Sequence, residues 1–239
     1  MWQSSISIAN EYPSAVEQLT KSLEQIQGLY CAQARTATRT IYQIACKDGD
    51  LLYVKSLVDN AVCDCILTRF KFRFLNAAAK GARRTPALCA LMSSLLYYDS
   101  ERERTVILAA LDELYEYSVE GVVYFRLKAL VEAWREVADM TRSLLHTEYT
   151  DADLYSVALY MLGSREGDVS LFISDAKDLL ITNANEGNMV EIVPLYDDPV
   201  LDAIHTIIAQ GAKEVIVSGK QIDRRLLEAL ENLVRIKVL

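Results

Sequence analysis

Residues 197–239, DDPVLDAIHTIIAQGAKEVIVSGKQIDRRLLEALENLVRIKVL, decide the fold class. Asp198 before Pro199 marks a helix start, because the carboxylate can accept an otherwise unpaired N–H and proline at the first helical position needs none. Apolar residues then return in steps of three and four until Gln210-Gly211 stops the helix. The β-branched run 214–218 (EVIVS) reads as a strand, 222–233 as an amphipathic helix and 234–239 (VRIKVL) as a second strand. Two strands joined through a helix form a parallel pair, so this end of the chain is an α/β unit.

Upstream, 169–173 (VSLFI) has strand character, with 179–182 and 189–193 as partners across Gly and Asn turns and Gly163 and Gly167 bracketing a break. From 50 to 161 the spacing is helical almost throughout. Wide apolar stripes such as Leu51, Val54, Val58, Val62 and Cys65, or Ile107, Leu108, Leu111 and Leu114, predict helices packed on several sides, and 122–145 reads as one long helix. At the other end, 4–9 (SSISIA) and 38–45 (TRTIYQIA) alternate like strands around a helix that starts at Pro13. The expectation is an α+β fold: a central helical bundle over 47–165, flanked by a strand-helix-strand unit over 1–46 and an α/β unit over 166–239. Because termini often lie close together, a single sheet shared by the strands of the two ends is left open by the sequence.

Of the 239 residues, 51% are hydrophobic, and 25 basic against 33 acidic residues leave a net charge of −8. That balance is globular and disfavours general binding of polyanions. The start, MWQSS, lacks the basic and apolar regions of a signal peptide, and no run approaches the ~18 apolar residues of a membrane span, so a cytoplasmic protein is expected. Five cysteines, an odd number, point to reduced core thiols. Charge is uneven: 69–84 holds six basic residues and no acid, whereas 145–202 holds twelve acidic and two basic residues.

The run Arg69-Phe70-Lys71-Phe72-Arg73-Phe74 alternates cations with aromatics, and Lys80, Arg83 and Arg84 extend it into a loop. Two readings are open: phosphates held by the cations while rings stack on bases, or a helix end whose phenylalanines enter the core beneath a charged exterior. Cys63-Asp64-Cys65 lacks the second pair that a zinc site needs, and neither His146 nor His205 sits in a catalytic motif. Asp197 and Asp198 are explained by capping. Ser218-Gly219-Lys220-Gln221 follows a strand and precedes a helix as a phosphate loop does, but without the glycine spacing of one. No cofactor or metal motif is present.

The block 119–130, VEGVVYFRLKAL, opens a helix with Glu120-Gly121 and sets Arg126 among large apolar residues. A buried arginine needs an acid, and Glu148 or Asp151 is the expected partner. This block, with Glu120, Gly121, Phe125 and Arg126 matching Glu-Gly-Phe-x-x-Phe-Arg-Leu, together with Glu148-Tyr149 and residues 194–239, resembles the YtxC-like family of sporulation proteins of endospore-forming bacteria. The chain departs from the family at Val122, where an aromatic is usual, and at Thr150-Asp151-Ala152. The resemblance implies a role in endospore formation and brings no catalytic residue with it. The expected function is that of a non-enzymatic cytoplasmic sporulation factor working through protein contacts or self-association. Arg69, Lys71, Arg73, Lys80, Arg83 and Arg84 would be its basic contact loop. The alternatives are nucleic-acid binding by that loop, or a small-molecule or phosphate-handling site near 218–220.

Overall fold

The computed structural model describes residues 2–163, 169–174, 179–219 and 222–239. In chain order its elements are β1 (Trp2–Ala9), α1 (Pro13–Glu24), β2 (Tyr30–Arg35), β3 (Arg39–Cys46), α2 (Leu51–Cys65), a π-helical turn (Ile66–Phe70), α3 (Lys71–Ala78), α4 (Pro86–Tyr97), α5 (Ser100–Leu111) and β4 (Glu116–Ser118). A single turn α6 (Val119–Gly121), a second π-helical turn (Val122–Arg126), α7 (Lys128–Leu145), α8 (Asp151–Leu162), β5 (Val169–Ser174), β6 (Leu180–Asn183), β7 (Met189–Val190), α9 (Pro199–Ala209), β8 (Ala212–Ser218), α10 (Arg224–Leu233) and β9 (Arg235–Val238) follow. The fold is α+β. No helix among the described residues is long and apolar enough to cross a membrane.

The chain divides into two compact units, one of Met1–Ala79 with Asp99–Arg142, the other of Lys80–Tyr98 with Ser143–Leu239. The helices expected to form one central bundle are therefore shared out: α4 belongs to the second unit, and α2, α3 and α5 to the first. No one sheet joins the strands of the two ends among the described residues. Among the described residues the strands make a four-stranded sheet, β2-β3-β1-β4, and a five-stranded sheet, β7-β6-β5-β8-β9. Strand β4, whose three residues are too few to show a period in sequence, was not expected. It pairs in parallel with β1, Ser5 opposite Glu116, and forms one edge of the first sheet.

In the first unit β1 and β3 are antiparallel, Ile6 opposite Tyr42, and turn Ile6, Ile8, Tyr42, Ile44 and Cys46 into a core completed by Leu19 and Leu23 of α1 and Val54, Val58 and Val62 of α2. Each of these larger side chains contributes about 1.5–3 kcal/mol by leaving water. Strand β2 has every residue exposed, so the alternation that marks a half-buried strand is missing from its sequence.

In the second unit β5, β8 and β9 run parallel, and the expected parallel pair of β8 with β9 is present, Val215 opposite Ile236. Helices α9 and α10 make the crossovers. Asp198 caps α9, its Oδ1 accepting from the Val200 and Leu201 N–H groups at 2.9 and 3.4 Å, and Pro199 follows as expected. Helix α4, PALCALMSSLLY, buries every residue from Ala87 to Leu96, and α9 buries every residue from Val200 to Ile208. These two helices form the interior of this unit.

Candidate functional site

The alternating run of cations and aromatics lies on a helix, not a loop. Helix α2 continues through a widened turn, in which the Lys71 N–H donates to Ile66 O five residues back, into α3. This turn carries the side chains of the run to different surroundings. Phe70 is buried with its ring centroid 4.9 Å from that of Tyr12. Arg69 is half-buried and donates from Nε to Gln18 Oε1 at 2.6 Å.

Lys71, expected at a contact surface, is 3% exposed. Its ammonium lies 2.7 Å from Glu103 Oε2, and the other carboxylate oxygen accepts from Trp134 Nε1 at 2.7 Å. Burial lowers the Lys71 pKa, because the low-dielectric interior disfavours the charged amine, while Glu103 acts in the opposite sense. Lys71 is part of the core, and sequence could not show this because its counter-charge comes from a helix 32 residues away.

Arg73 and Phe74 remain, and α7 completes the site. The Arg73 guanidinium sits 4.7 Å from the centroid of the Tyr12 ring. Phe74 is half-buried, 5.9 Å from Trp134 and 6.5 Å edge-on from Tyr124, and the Arg135 guanidinium lies 5.8 Å from its centroid. The Tyr12 and Tyr124 side chains are hydrogen-bonded, and burial is the main reason that the Tyr12 hydroxyl is held well above its ordinary pKa. Among the described residues no carboxylate comes within ion-pair distance of Arg73 or Arg135, and Glu132, one turn before Arg135, does not reach it. A guanidinium above a ring and without a carboxylate partner retains N–H donors, so this face can hold a carboxylate or another anion. Phe125, 75% exposed, and exposed Arg126 stand on the second π-helical turn beside Tyr124.

Tyr12, Tyr124 and Arg135 were not singled out from sequence. Arg135 follows Trp134 of the α7 apolar stripe, and its place beside a buried aromatic is the signal that a helix projection would have given. Lys80, Arg83 and Arg84 are exposed but belong to the second unit, so the expected single basic loop over 69–84 is divided. Arg84 has a structural task, donating from Nη1 to Tyr196 O at 3.1 Å.

The 119–130 block is architectural where it opens. Ser118 caps the turn, its Oγ accepting from the Gly121 N–H at 3.0 Å, and Glu120 Oε1 pairs with Arg39 Nη1 at 2.5 Å. The expected single helix over 122–145 is interrupted, with the Leu127 N–H reaching back five residues to Val122 O before α7 starts. Arg126 is exposed, which removes the need for a buried acid from which a pairing with Glu148 or Asp151 was inferred. Glu148 is exposed and Asp151 accepts from Thr85 Oγ1 at 3.4 Å.

In the second unit, His205 is 0% exposed. Its Nδ1 is 3.0 Å from Ser93 Oγ and its Nε2 3.4 Å from the Tyr97 hydroxyl, while Ser93 Oγ is also 3.3 Å from the Tyr196 hydroxyl. Cys89 donates from Sγ to Leu201 O at 3.3 Å, and burial pushes its thiol up to about 12. Cys63 and Cys65 are also buried and also pushed up to about 12, and they turn apart, toward Arg104 O and Ala15 O respectively. Among the described residues no group of three His, Cys, Asp or Glu side chains could hold a metal.

Of the 218–220 reading, Lys220 and Gln221 lie outside the described residues, and Ser218 ends β8. A concavity of about 860 Å³ in this unit opens at the opposite end of the parallel strands, where Val169, Ala212 and Arg235 begin β5, β8 and β9 and where α8, α9 and α10 finish. Comparisons of the chain with protein-family models, with curated proteins and with solved structures found no match.

Proposed function

We propose that this chain is a non-enzymatic factor of endospore formation that acts in the cytoplasm through protein–protein contacts, and that its contact surface is the cation–aromatic face of the first unit. The cellular process is what the resemblance of 119–130, Glu148-Tyr149 and 194–239 to the YtxC-like family implies. The observation that carries the mode of action is the pair of guanidiniums, Arg73 on Tyr12 and Arg135 on Phe74, stacked on rings with no carboxylate partner among the described residues. Arginine backed by an aromatic is a recurrent anchor of protein interfaces. The favoured partner presents an acidic segment.

Nucleic-acid binding is the weaker reading of the same face. Base stacking needs free ring faces, whereas Phe70 is buried and Phe74 is enclosed by Trp134, Tyr124 and Arg135. The net charge of −8 adds repulsion at a distance.

The test is binding of a glutamate-rich decapeptide, followed by calorimetry at low salt, to the parent chain and to R73E/R135E. Loss of two charge-assisted contacts should weaken binding by about tenfold or more. Equal affinity for both proteins removes the face from the proposal. In sporulating cells the same double variant, present at parental abundance, should lower the yield of heat-resistant spores, and an unchanged yield counts against the sporulation role.

A further inference from the structure

We propose that a second copy of this chain is a partner of the cation–aromatic face, and that it presents the outer side of α8. This rests on the reading just given, that the face takes an acidic protein surface.

Helix α8, DADLYSVALYML, is apolar on nearly every side. It buries Leu154 and Ala158, yet Leu159 and Tyr160 are exposed, Tyr160 at 79%. A helix that is apolar outward as well as inward has a contact surface left over. Its opening is acidic, with Glu148, Asp151 and Asp153 all exposed. Asp153 is engaged locally: its Oδ2 accepts from the Thr150 N–H at 2.8 Å and from the Thr150 hydroxyl at 2.7 Å. Glu148 has no partner among the described residues, and Asp151 takes only the long bond from Thr85. Two available carboxylates therefore precede an exposed Leu-Tyr pair, with Asp151 and Tyr160 about 13 Å apart along the helix axis.

The face of the first unit has the complementary composition. Its two ring-backed guanidiniums suit Glu148 and Asp151. No basic residue lies between Glu148 and Leu162, and the face of the first unit sets the Arg73 and Arg135 guanidiniums, neither with a carboxylate within ion-pair distance among the described residues, against those two carboxylates. The two surfaces differ, which makes the contact heterologous. Copies joined through such a contact assemble into a closed ring, a reciprocal pair included, or an open chain.

Sedimentation velocity of the full chain tests this. At about 50 mM salt the mean mass should rise with protein concentration, and at about 500 mM the self-affinity should fall by about tenfold or more as the charges are screened. R73E/R135E and E148K/D151K should each sediment as monomers with circular dichroism and thermal midpoints close to those of the parent. Their equimolar mixture should give a 1:1 dimer and nothing larger, because each variant keeps one working surface. All four changes in one chain should restore concentration-dependent assembly. Where charge reversal disturbs folding, R73Q/R135Q and Tyr160→Ala provide the same separation.

A single monomeric species at both salts, or variants that assemble as the parent does, overturns the proposal. The decapeptide separates the two ideas: if it binds the parent but not R73E/R135E while the chain stays monomeric, only the second copy is removed as partner. If the peptide fails as well, both readings fall.

Discussion

The two units bury polar groups in different ways. The first encloses a full ion pair, Lys71 with Glu103, and fills the second carboxylate oxygen with the Trp134 N–H. The second encloses a network of Ser93, Tyr196 and His205, with half-buried Tyr97 at its margin, and a carboxylate, Asp202, whose Oδ1 accepts from the Leu195 and Tyr196 N–H groups. Ammonium and indole can only donate and a carboxylate can only accept, so the first arrangement has one solution. Hydroxyls donate or accept as needed, and the second can adjust to the loss of a member. Damage to the first unit should therefore be severe and damage to the second moderate.

The sharpest break is Lys71→Met. It strands the Glu103 carboxylate in the interior, which costs about 3–5 kcal/mol. Both tryptophans, Trp2 and Trp134, lie in the first unit, so urea unfolding followed by tryptophan fluorescence reads its loss directly. K71M/E103Q should recover most of that stability, since the amide oxygen still accepts from Trp134 and no charge remains. A K71M variant as stable as the parent would mean that the pair is solvated.

Ser93→Ala is the corresponding break in the second unit. It removes the partner of His205 Nδ1 and one partner of the Tyr196 hydroxyl, and about 1–3 kcal/mol should be lost. Thiol labelling reports it. Cys89 is the one cysteine of the second unit, whereas Cys31, Cys46, Cys63 and Cys65 belong to the first. In the native parent exposed Cys31 should react quickly and the four buried thiols slowly. Ser93→Ala should speed Cys89 selectively, and Lys71→Met should speed Cys63 and Cys65.

Alkali should sharpen the same comparison. The thiol of Cys89 rises from 9.0 to about 12 on folding because burial disfavours the thiolate. A group whose folded pKa is raised gives its full stability below the unfolded value and loses it as pH climbs toward the folded one. Above pH 9 the loss is about 1.4 kcal/mol per pH unit for a fully buried thiol. Cys89→Ala should therefore show a shallower decline than the parent between pH 9 and 10.5, measured by denaturation at each pH. Lys71 acts with the opposite sign: its lowered pKa means that the folded state gives up a proton first, so its contribution grows as pH rises toward the unfolded value of 10.5. An identical slope in parent and Cys89→Ala would mean that this thiol is not buried.

Much of the fold was legible because local chemistry determines it. The Asp198-Pro199 start, the Gly211 stop and the β-branched run of β8 each act within a few residues, and the structure places all three as read. Strand β2 escaped because neither of its faces is buried, and β4 because three residues carry no period. At the candidate site, composition drew attention to Arg73 and Phe74 but could not separate them from Lys71 between the same aromatics. That separation depends on a widened turn in the helix, on Glu103, 32 residues from Lys71 in sequence, and on Trp134, a further 31 residues along. Arg126 was misread for a related reason: an arginine flanked by apolar residues is buried only if the helix phase turns it inward, and the second π-helical turn turns it out.

The smallest effects are expected at the helix caps, where the two units again differ. Asp198 holds two N–H groups and an ion pair from Arg225 Nη1 at 3.1 Å, so Asp198→Ala should cost the second unit about 1–2 kcal/mol. Ser118 holds one N–H group, and Ser118→Ala should cost the first about 0.5–1 kcal/mol. The Ser118 cap also accounts for glycine at position 121, because a Cβ there would run into Ser118 Oγ. Gly121→Ala alone must then displace the cap, whereas in S118A/G121A the obstructing oxygen is gone. The double variant should lose less stability than the two single variants added together, by about 0.5 kcal/mol or more. Strict additivity in that cycle would show that the glycine answers to something other than its cap.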